Sequence, residues 1–235
     1  PSFDAISPRP GHSWRARTLP LRGRVSDDVG VAGLWLARGP ELTPVSPEAD
    51  GAFAIDVTLE PAWNELELLA TDAEGNERRT PLSYYFGQRL GAGGAHGAAI
   101  VGNQLYTWGR NNVGQLGLGY LSQLAWNDPS HANHDPATPH PNVPVVPVLP
   151  AGAGAPISVG INQISSSVLD EHGQIWSWGS NSSCQLGYTS ATGSVPTPGL
   201  VAGLEGLAPV QLDRGYDHVL VLLDESAGFL DNHLR

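Results

Sequence analysis

Methionine, cysteine and positive charge are scarce in this chain of 235 residues. It contains no methionine, its 12 basic residues are all arginine, and Cys184 is its single cysteine. One cysteine excludes an intrachain disulfide and any metal site built on several thiolates. No apolar run is long enough to cross a bilayer, so we expect no membrane insertion. The lack of methionine, together with Pro1 as first residue, indicates a piece of a longer protein.

The shortage of positive charge also limits the partners. The sequence has 23 acidic residues against 12 basic ones, and its formal net charge is −11. Proteins that bind nucleic acid duplexes present a basic stripe or patch, whereas these arginines are scattered. We therefore expect neither nucleic acid nor an anionic membrane as a partner.

The most informative feature that is present is an internal repeat. The 14 residues from Gln104 to Gly117 return as Gln174 to Gly187, with seven identities and a constant offset of 70. In each copy an alternating aromatic strand is followed by glycine, asparagine and glutamine, which are turn-forming or bridging residues. Both faces of such a strand favour burial, so we expect each copy to lie in a sheet packed between similar sheets.

The repeat extends upstream of each aromatic strand. A glycine and a histidine precede an apolar strand at Gly93 to His96 and again at Gly215 to His218, with Ser165 in the histidine position of the middle copy. The anchor positions are 69 and then 53 residues apart, which places an insertion in the first repeat, at 121–142. This Pro-, Asn- and His-rich insertion contains zinc-type ligands, but nothing in the sequence orders it, so we interpret it as a solvated loop rather than a zinc site. The ligand-type residues are Asp128, His131, His134, Asp135 and His140.

These residues resemble the repeats of the regulator of chromosome condensation family. The resemblance covers roughly residues 89–235 and implies a β-propeller, here incomplete, with two blades and part of a third. It is weakest in the third copy, where His233 takes the tryptophan position. The residues that match the structural motif are His96, Trp108, Gly109, Asn111, Gln115, Gly117, Trp178, Gly179, Asn181, Gln185, Gly187 and His218.

Residues 1–88 lack the repeat and show short alternating strands separated by turns, which predicts a β-sandwich. Their order of glycine, aspartate and apolar positions resembles bacterial immunoglobulin-like domains. The fold class is therefore all-β: an immunoglobulin-like domain over 1–88 followed by the partial propeller over 89–235. Such spacer domains are common in secreted and surface proteins, so the resemblance implies an extracellular or cell-surface location.

The acidic turns of the first domain form a candidate calcium site. In an immunoglobulin-like sandwich the second-to-third and sixth-to-seventh strand turns share one end. Calcium binds six to eight oxygen ligands of the kind that these turns offer. We therefore consider a calcium site against ordinary turn chemistry, in which such side chains bond their own backbone. Its ligands would be Asp27, Asp28, Asp72, Glu74 and Asn76.

No catalytic constellation is visible in the sequence. We expect a non-catalytic protein that uses propeller loops to bind a protein or surface ligand. Two alternatives stay open: a guanine-nucleotide exchange factor for a small GTPase, as the family resemblance implies, and an accessory module of a secreted hydrolase.

Overall fold

The computed structural model describes residues 1–141 and 143–223. They divide between two compact units, Pro1–Gly87 and Gln88–Arg235. The described residues form β-strands and one short 3₁₀ helix, Leu124–Asn127, so the all-β class is confirmed. No helix formed by the described residues is long and apolar enough to cross a membrane. The predicted third-repeat position His233 lies outside the described part of the chain.

The first unit contains eight strands in two sheets. One sheet has the order β1-β3-β6, and the other has the order β2-β8-β7-β4-β5. Strand β2 runs parallel to β8, and the other pairings in the unit are antiparallel. The strands are β1 Ser2–Ser7, β2 Ser13–Trp14, β3 Thr18–Ser26, β4 Val31–Arg38, β5 Glu41–Pro44, β6 Ala52–Thr58, β7 Ala62–Asp72 and β8 Glu77–Phe86.

Alternation along the strands of the first unit produces its core. On β3, Leu19, Leu21 and Val25 are buried while the residues between them are more exposed. Gly23 continues this buried series without a side chain, because a Cβ there would lie 2.7 Å from the ring of Phe53 on β6. Period-two burial of this kind is typical of a sheet with one face on a core.

The second unit contains two sheets and a hairpin. We call the three-stranded sheet β9–β11 the first blade, the four-stranded sheet β12–β15 the second blade, and the pair β16–β17 the third hairpin. Successive strands pair antiparallel in each. The strands are β9 Leu90–Ala92, β10 His96–Val101, β11 Gln104–Gly109, β12 Pro156–Ile161, β13 Ser165–Asp170, β14 Ile175–Ser180, β15 Ser194–Leu200, β16 Pro209–Arg214 and β17 Val219–Leu223.

The outer edge differs between the two blades. In the second blade β15 pairs with β14. On the equivalent side of β11, Val145 is the one pairing partner among the described residues, through two 2.8 Å backbone bonds to Thr107. Thr107 corresponds to Ser177, whose partner is Gly199. The chain runs 28 residues from Gly117 to Val145 in the first blade. Between the equivalent positions of the second blade, Gly187 and Gly199, it runs 12 residues, so the first blade contains 16 additional residues. They fall where the sequence predicts an insertion.

The outer strand β15 carries Pro196 and Pro198. Proline has no N–H group, so β15 cannot donate a backbone hydrogen bond at these two positions to a further strand.

The core of the second unit lies between the two blades. Aliphatic side chains of β10, β12 and β13 surround two indoles of β14. A Cβ at Gly91 would lie 2.5 Å from Ile161, so this glycine on β9 lets the second blade approach closely. The cluster consists of Ala98, Ile100, Leu105, Val159, Ile161, Val168, Trp176 and Trp178.

The two motif tryptophans differ in burial. Trp178 is fully buried and the whole of β14 is buried on both faces, as the repeat predicts. Trp108 occupies the same position on β11, yet 37% of its surface is exposed. For Trp108 the expectation of an inward-packed sheet is therefore wrong within the described residues. The indole lies on Gly97 of its own blade, but no described sheet covers its other face.

Candidate functional site

The turn that follows the aromatic strand of the first blade is built around two buried amides. Asn111 accepts a bond from Leu116 N at 3.1 Å and donates to Tyr120 O and Ser122 Oγ at 3.0 and 3.2 Å. Gln115 Oε1 accepts from Val113 N at 3.0 Å. The backbone groups of the turn have no partner strand, and these two side chains supply their hydrogen bonds instead.

The second blade repeats this network. Asn181 accepts from Leu186 N at 3.1 Å and donates to Tyr188 O and Ser190 Oγ, and Gln185 Oε1 accepts from Ser183 N at 2.8 Å. The amide nitrogen of Asn181 is thus committed to the fold, although Asn181 begins an Asn-x-Ser pattern of the kind that accepts glycans. The repeated sequence specifies a repeated hydrogen-bond pattern.

Two glycines of each copy are required by close contacts. A Cβ at Gly109 would lie 2.5 Å from Ala95 O, and one at Gly179 would lie 2.5 Å from Ile164 O. Gly117 leaves room for the indole of Trp178, since a Cβ there would lie 2.9 Å from Nε1. Gly187 has the same positive φ, 75° against 73° for Gly117.

The upstream anchor forms the same turn three times. The backbone N–H of the first residue donates to the carbonyl three residues later at Gly93 to His96, Asn162 to Ser165 and Gly215 to His218, at 2.9 to 3.1 Å. The anchor side chains themselves differ. His96 is buried, whereas His218 is exposed, so the two histidines do not share one environment.

The first blade meets the second at a hydrogen-bonded cradle that we call junction 1. Trp178 Nε1 and Ser166 Oγ both donate to the backbone carbonyl of Gln115, at 2.9 and 2.7 Å. His96 Nε2 lies 2.9 Å from Ser166 Oγ. Burial, with a smaller contribution from the charge of Arg214, lowers the pKa of His96 to about 4, so the ring is neutral at pH 7.

The second blade meets the third hairpin at junction 2. Here the backbone carbonyl of Gln185, which is equivalent to that of Gln115, has a different partner. Arg214 Nη2 donates to the backbone carbonyl of Gln185 at 2.8 Å. The Arg214 side chain is 8% exposed, and burial lowers its pKa to about 10. Asn162 bridges to the hairpin loop by donating to Gly215 O and Tyr216 O. Junction 2 is therefore polar where the core beside junction 1 is aliphatic.

Asp170 is a buried acid that the sequence reasoning missed. Its two carboxylate oxygens accept from His172 N, Gln174 N, Gly154 N and Trp176 Nε1, all at 2.9 to 3.0 Å. The Asp-x-x-Gly spacing that ends at Gly173 marks a turn and was the signal available in the sequence. With four donors satisfied, Asp170 orders the β13–β14 turn and the Trp176 indole.

The insertion of the first blade is ordered by its own hydrogen bonds, which corrects the expectation of a loop that nothing orders. Asn127 and His140 exchange two bonds, Asn127 Nδ2 to His140 O at 2.8 Å and His140 N to Asn127 Oδ1 at 2.7 Å. His134 Nδ1 lies 2.7 Å from Trp126 O. These pairs hold the two ends of the insertion together.

A groove of about 460 Å³ lies between the insertion and the motif tryptophan. Trp108 and Gly109 form one side, and Leu124, His140, Pro141 and Pro144 complete it. Leu124 is 67% exposed, so the groove presents apolar side chains to solvent. Clefts of this kind, apolar with a few polar groups, are typical binding sites.

The predicted calcium ligands lie at one end of the first unit, and the oxygens of two of them are engaged. Asp72 accepts from Glu74 N, Asn76 N and Asn76 Nδ2 at 2.8 to 2.9 Å, and the Asn76 amide is the main cause of its lowered pKa. Asp27 accepts from Val29 N and pairs with the Pro1 amino group.

The other predicted ligands lie at the surface of the unit. Asp28, Glu74 and Asn76 are exposed. Over residues 1–141 and 143–223, no three His, Cys, Asp or Glu side chains are grouped to hold a metal ion. The contacts are those of ordinary Asx turns, and calcium stays a prediction from the sequence.

Comparison with known proteins agrees with the repeated network. Residues 103–148 and 172–222 match the family model of the regulator of chromosome condensation (RCC1) repeat. Both matched stretches lie within the second unit. The two matches contain both motif turns, and the second extends through the third hairpin.

The relatives are long proteins of which this chain matches a small part. It is 33% identical over 138 residues to the probable E3 ubiquitin-protein ligase HERC6 of Homo sapiens, covering 56% of this chain and 11% of that protein. It is 32% identical over 139 residues to the mitochondrial RCC1 domain-containing protein RUG3 of Arabidopsis thaliana, covering 58% and 28%. The match therefore spans less than a third of the length of each of these two relatives.

Two solved structures are also similar to the chain. Human WBSCR16 aligns with a TM-score of 0.46 at 15% identity, covering 86% of this chain and 61% of the other. Prp20p of Saccharomyces cerevisiae aligns with a TM-score of 0.41 at 15% identity, covering 88% and 52%.

Proposed function

We propose that this protein is a non-catalytic binding protein in which RCC1-type blades present a docking surface to a protein partner. The observation that carries the proposal is the groove beside Trp108. It combines a half-exposed indole with the exposed Leu124, and it is lined by the ordered insertion that the second blade lacks. Exposed aromatic and aliphatic anchors of this kind dominate the energetics of protein interfaces.

The proposal includes a spacer role for the first unit and a location outside the cell. The strand order supports this part: β1, β3 and β6 in one sheet, with β8, β7, β4 and β5 in the other, correspond to strands A, B, E and G, F, C, C′ of an immunoglobulin-like sandwich. Protease treatment of intact host cells that express the tagged full-length protein tests the location. Complete protection of the tagged protein would contradict an extracellular position.

The binding role is tested with variants that alter the groove and leave the blade cores intact. The double change Trp108→Ala and Leu124→Asp removes both exposed anchors, and Leu42→Asp alters a half-exposed leucine of the first unit as a control. We expect partners that crosslink to the wild-type protein in its host to be lost in the double variant and retained in the control. Identical crosslinked partners in all three proteins would contradict the groove as the binding surface.

Nucleotide exchange on a small GTPase is the second candidate, and the RCC1 repeat match favours it. Release of a fluorescent guanine nucleotide from purified GTPases in the presence of the full-length protein distinguishes the two functions. The binding role predicts no acceleration above the spontaneous rate. Catalysed release that persists in the Trp108→Ala, Leu124→Asp variant would replace it with an exchange factor that acts elsewhere on the blades.

A further inference from the structure

Arg214 is a buried cation whose bonding groups are largely unused. It ends β16, and a Cβ at Gly160 would lie 3.0 Å from its Cγ, so the side chain lies against β12. Nη2 donates to Gln185 O, while Nε and Nη1 are buried without a hydrogen-bond partner. Among the described residues, no carboxylate lies within ion-pair distance of the guanidinium.

A second unpaired polar group lies on the same face. Ser167 on β13 pairs across the strands with Gly160, so its side chain points to the side of β12 that Arg214 covers. Ser167 is buried and its Oγ has no partner. Junction 2 therefore holds three unpaired guanidinium N–H groups and one unpaired hydroxyl.

The internal repeat shows that this polarity is specific to junction 2. By strand pairing, the position of Arg214 on β16 corresponds to Ile161 on β12, and Ser167 on β13 corresponds to Ala98 on β10. Both equivalents at junction 1 belong to the apolar cluster. A buried charge without a counter-charge is strongly unfavourable, so an arginine here needs an anionic acceptor.

We propose that Arg214 and Ser167 form a receptor for a carboxylate group at junction 2. A carboxylate cancels the guanidinium charge and accepts from two N–H groups at once, and its oxygens also suit the serine hydroxyl. The group can come from a free small carboxylate or from an acidic side chain of a polypeptide.

The experiment uses the full chain with formate as probe. Formate and chloride are titrated at constant ionic strength, and the arginine Nε–H NMR signals and the thermal midpoint are followed. The Arg214 signal is identified by its loss in Arg214→Lys. This variant keeps the positive charge and is used in place of Arg214→Met if the uncharged variant does not fold. Arg110→Lys, at an exposed arginine, is the matched control.

Each result either supports a carboxylate at junction 2 or contradicts it. A saturable formate shift of the Arg214 signal, with a rise in midpoint that survives in Arg110→Lys and is lost in Arg214→Lys, supports a free carboxylate. No formate effect, with a saturable shift of the Arg214 signal when triaspartate is titrated in the same way, assigns the carboxylate to an acidic side chain of a polypeptide. Equal effects of chloride and formate, or no response in either arm, overturn the proposal.

Discussion

The two junctions of the second unit use one architecture with opposite chemistry. At junction 1 the Gln115 carbonyl accepts from an indole and a hydroxyl, beside a cluster of eight apolar side chains. At junction 2 the equivalent Gln185 carbonyl accepts from a guanidinium that has two unpaired nitrogens. The glutamine carbonyl of the Gln-Leu-Gly turn is thus the constant element of the repeat. The donor that meets it varies, and that donor determines whether the joint is apolar or charged.

The largest effect is expected from removing the indole of junction 1. Trp178→Ala should cost about 3–5 kcal/mol of unfolding free energy, because it empties a fully buried volume and leaves the Gln115 carbonyl short of a donor. Trp108→Ala, at the half-exposed equivalent, should cost no more than about 1–2 kcal/mol. Urea unfolding at pH 7 measures both. Equal losses of unfolding free energy would contradict the different structural roles of the two tryptophans.

A pH-dependent loss of stability should follow from His96, which contacts Ser166 of junction 1. Folded His96 stays neutral down to about pH 4, whereas an unfolded histidine protonates near pH 6.5. The unfolded state binds more protons between these values, so stability is complete above pH 6.5 and falls as the pH drops toward 4. The loss should reach about 3 kcal/mol at the acid end.

His96→Gln provides the test of that assignment. Urea unfolding at pH 7 and pH 4.5 should show a smaller pH-dependent loss in the variant than in the wild type, since glutamine does not titrate. An unchanged pH dependence in His96→Gln would assign the acid sensitivity to other groups.

Junction 2 should open before junction 1. The third hairpin is held by Arg214, by the Asn162 bridges and by one fully buried leucine, Leu212, which packs against β12. Leu220 and Leu222 on β17 are more than half exposed. Few buried apolar contacts predict a low local opening free energy. Hydrogen exchange should therefore release the amides of β16 and β17 earlier than those of β13 and β14. Simultaneous release would show that the charged joint is as strong as the apolar one.

The smallest effect concerns the one glycine position in which the two turns differ. Cys184 stands where the first blade has Gly114, and it adopts a φ of 60°. Cys184→Gly should stabilise the protein by about 1 kcal/mol, because glycine adopts this conformation without steric cost. Gly114→Ala should destabilise it, since a Cβ there would lie 2.4 Å from Pro196. Thermal unfolding of the two variants measures the opposite shifts.

The sequence predicted those features that are local. Strands β3, β6 and β7 have clear alternation and were predicted, whereas β1, β2 and β5 are short or exposed edge strands without such a pattern. The RCC1-type turns were predicted because their glycines and amides act within one loop.

Features that depend on a neighbouring sheet could not be predicted in this way. Trp108 and Trp178 are the same residue in the same motif, and only the presence of a covering blade separates their burial. The sequence did not mark Arg214 as unusual, because a charged residue at this position is unexpected only after strand pairing aligns it with Ile161. The groove likewise required the folded path of the insertion, which composition describes only as polar and proline-rich.

Proline at alternate positions of β15 has a consequence for the behaviour of the protein at high concentration. A foreign strand placed beside Pro196 and Pro198 would find two missing donors, so growth of a continuous sheet from one molecule to the next is disfavoured. Fibril formation through this edge is thereby suppressed. Partners of the second blade must recognise its side chains or its loops, and cannot simply extend its backbone ladder.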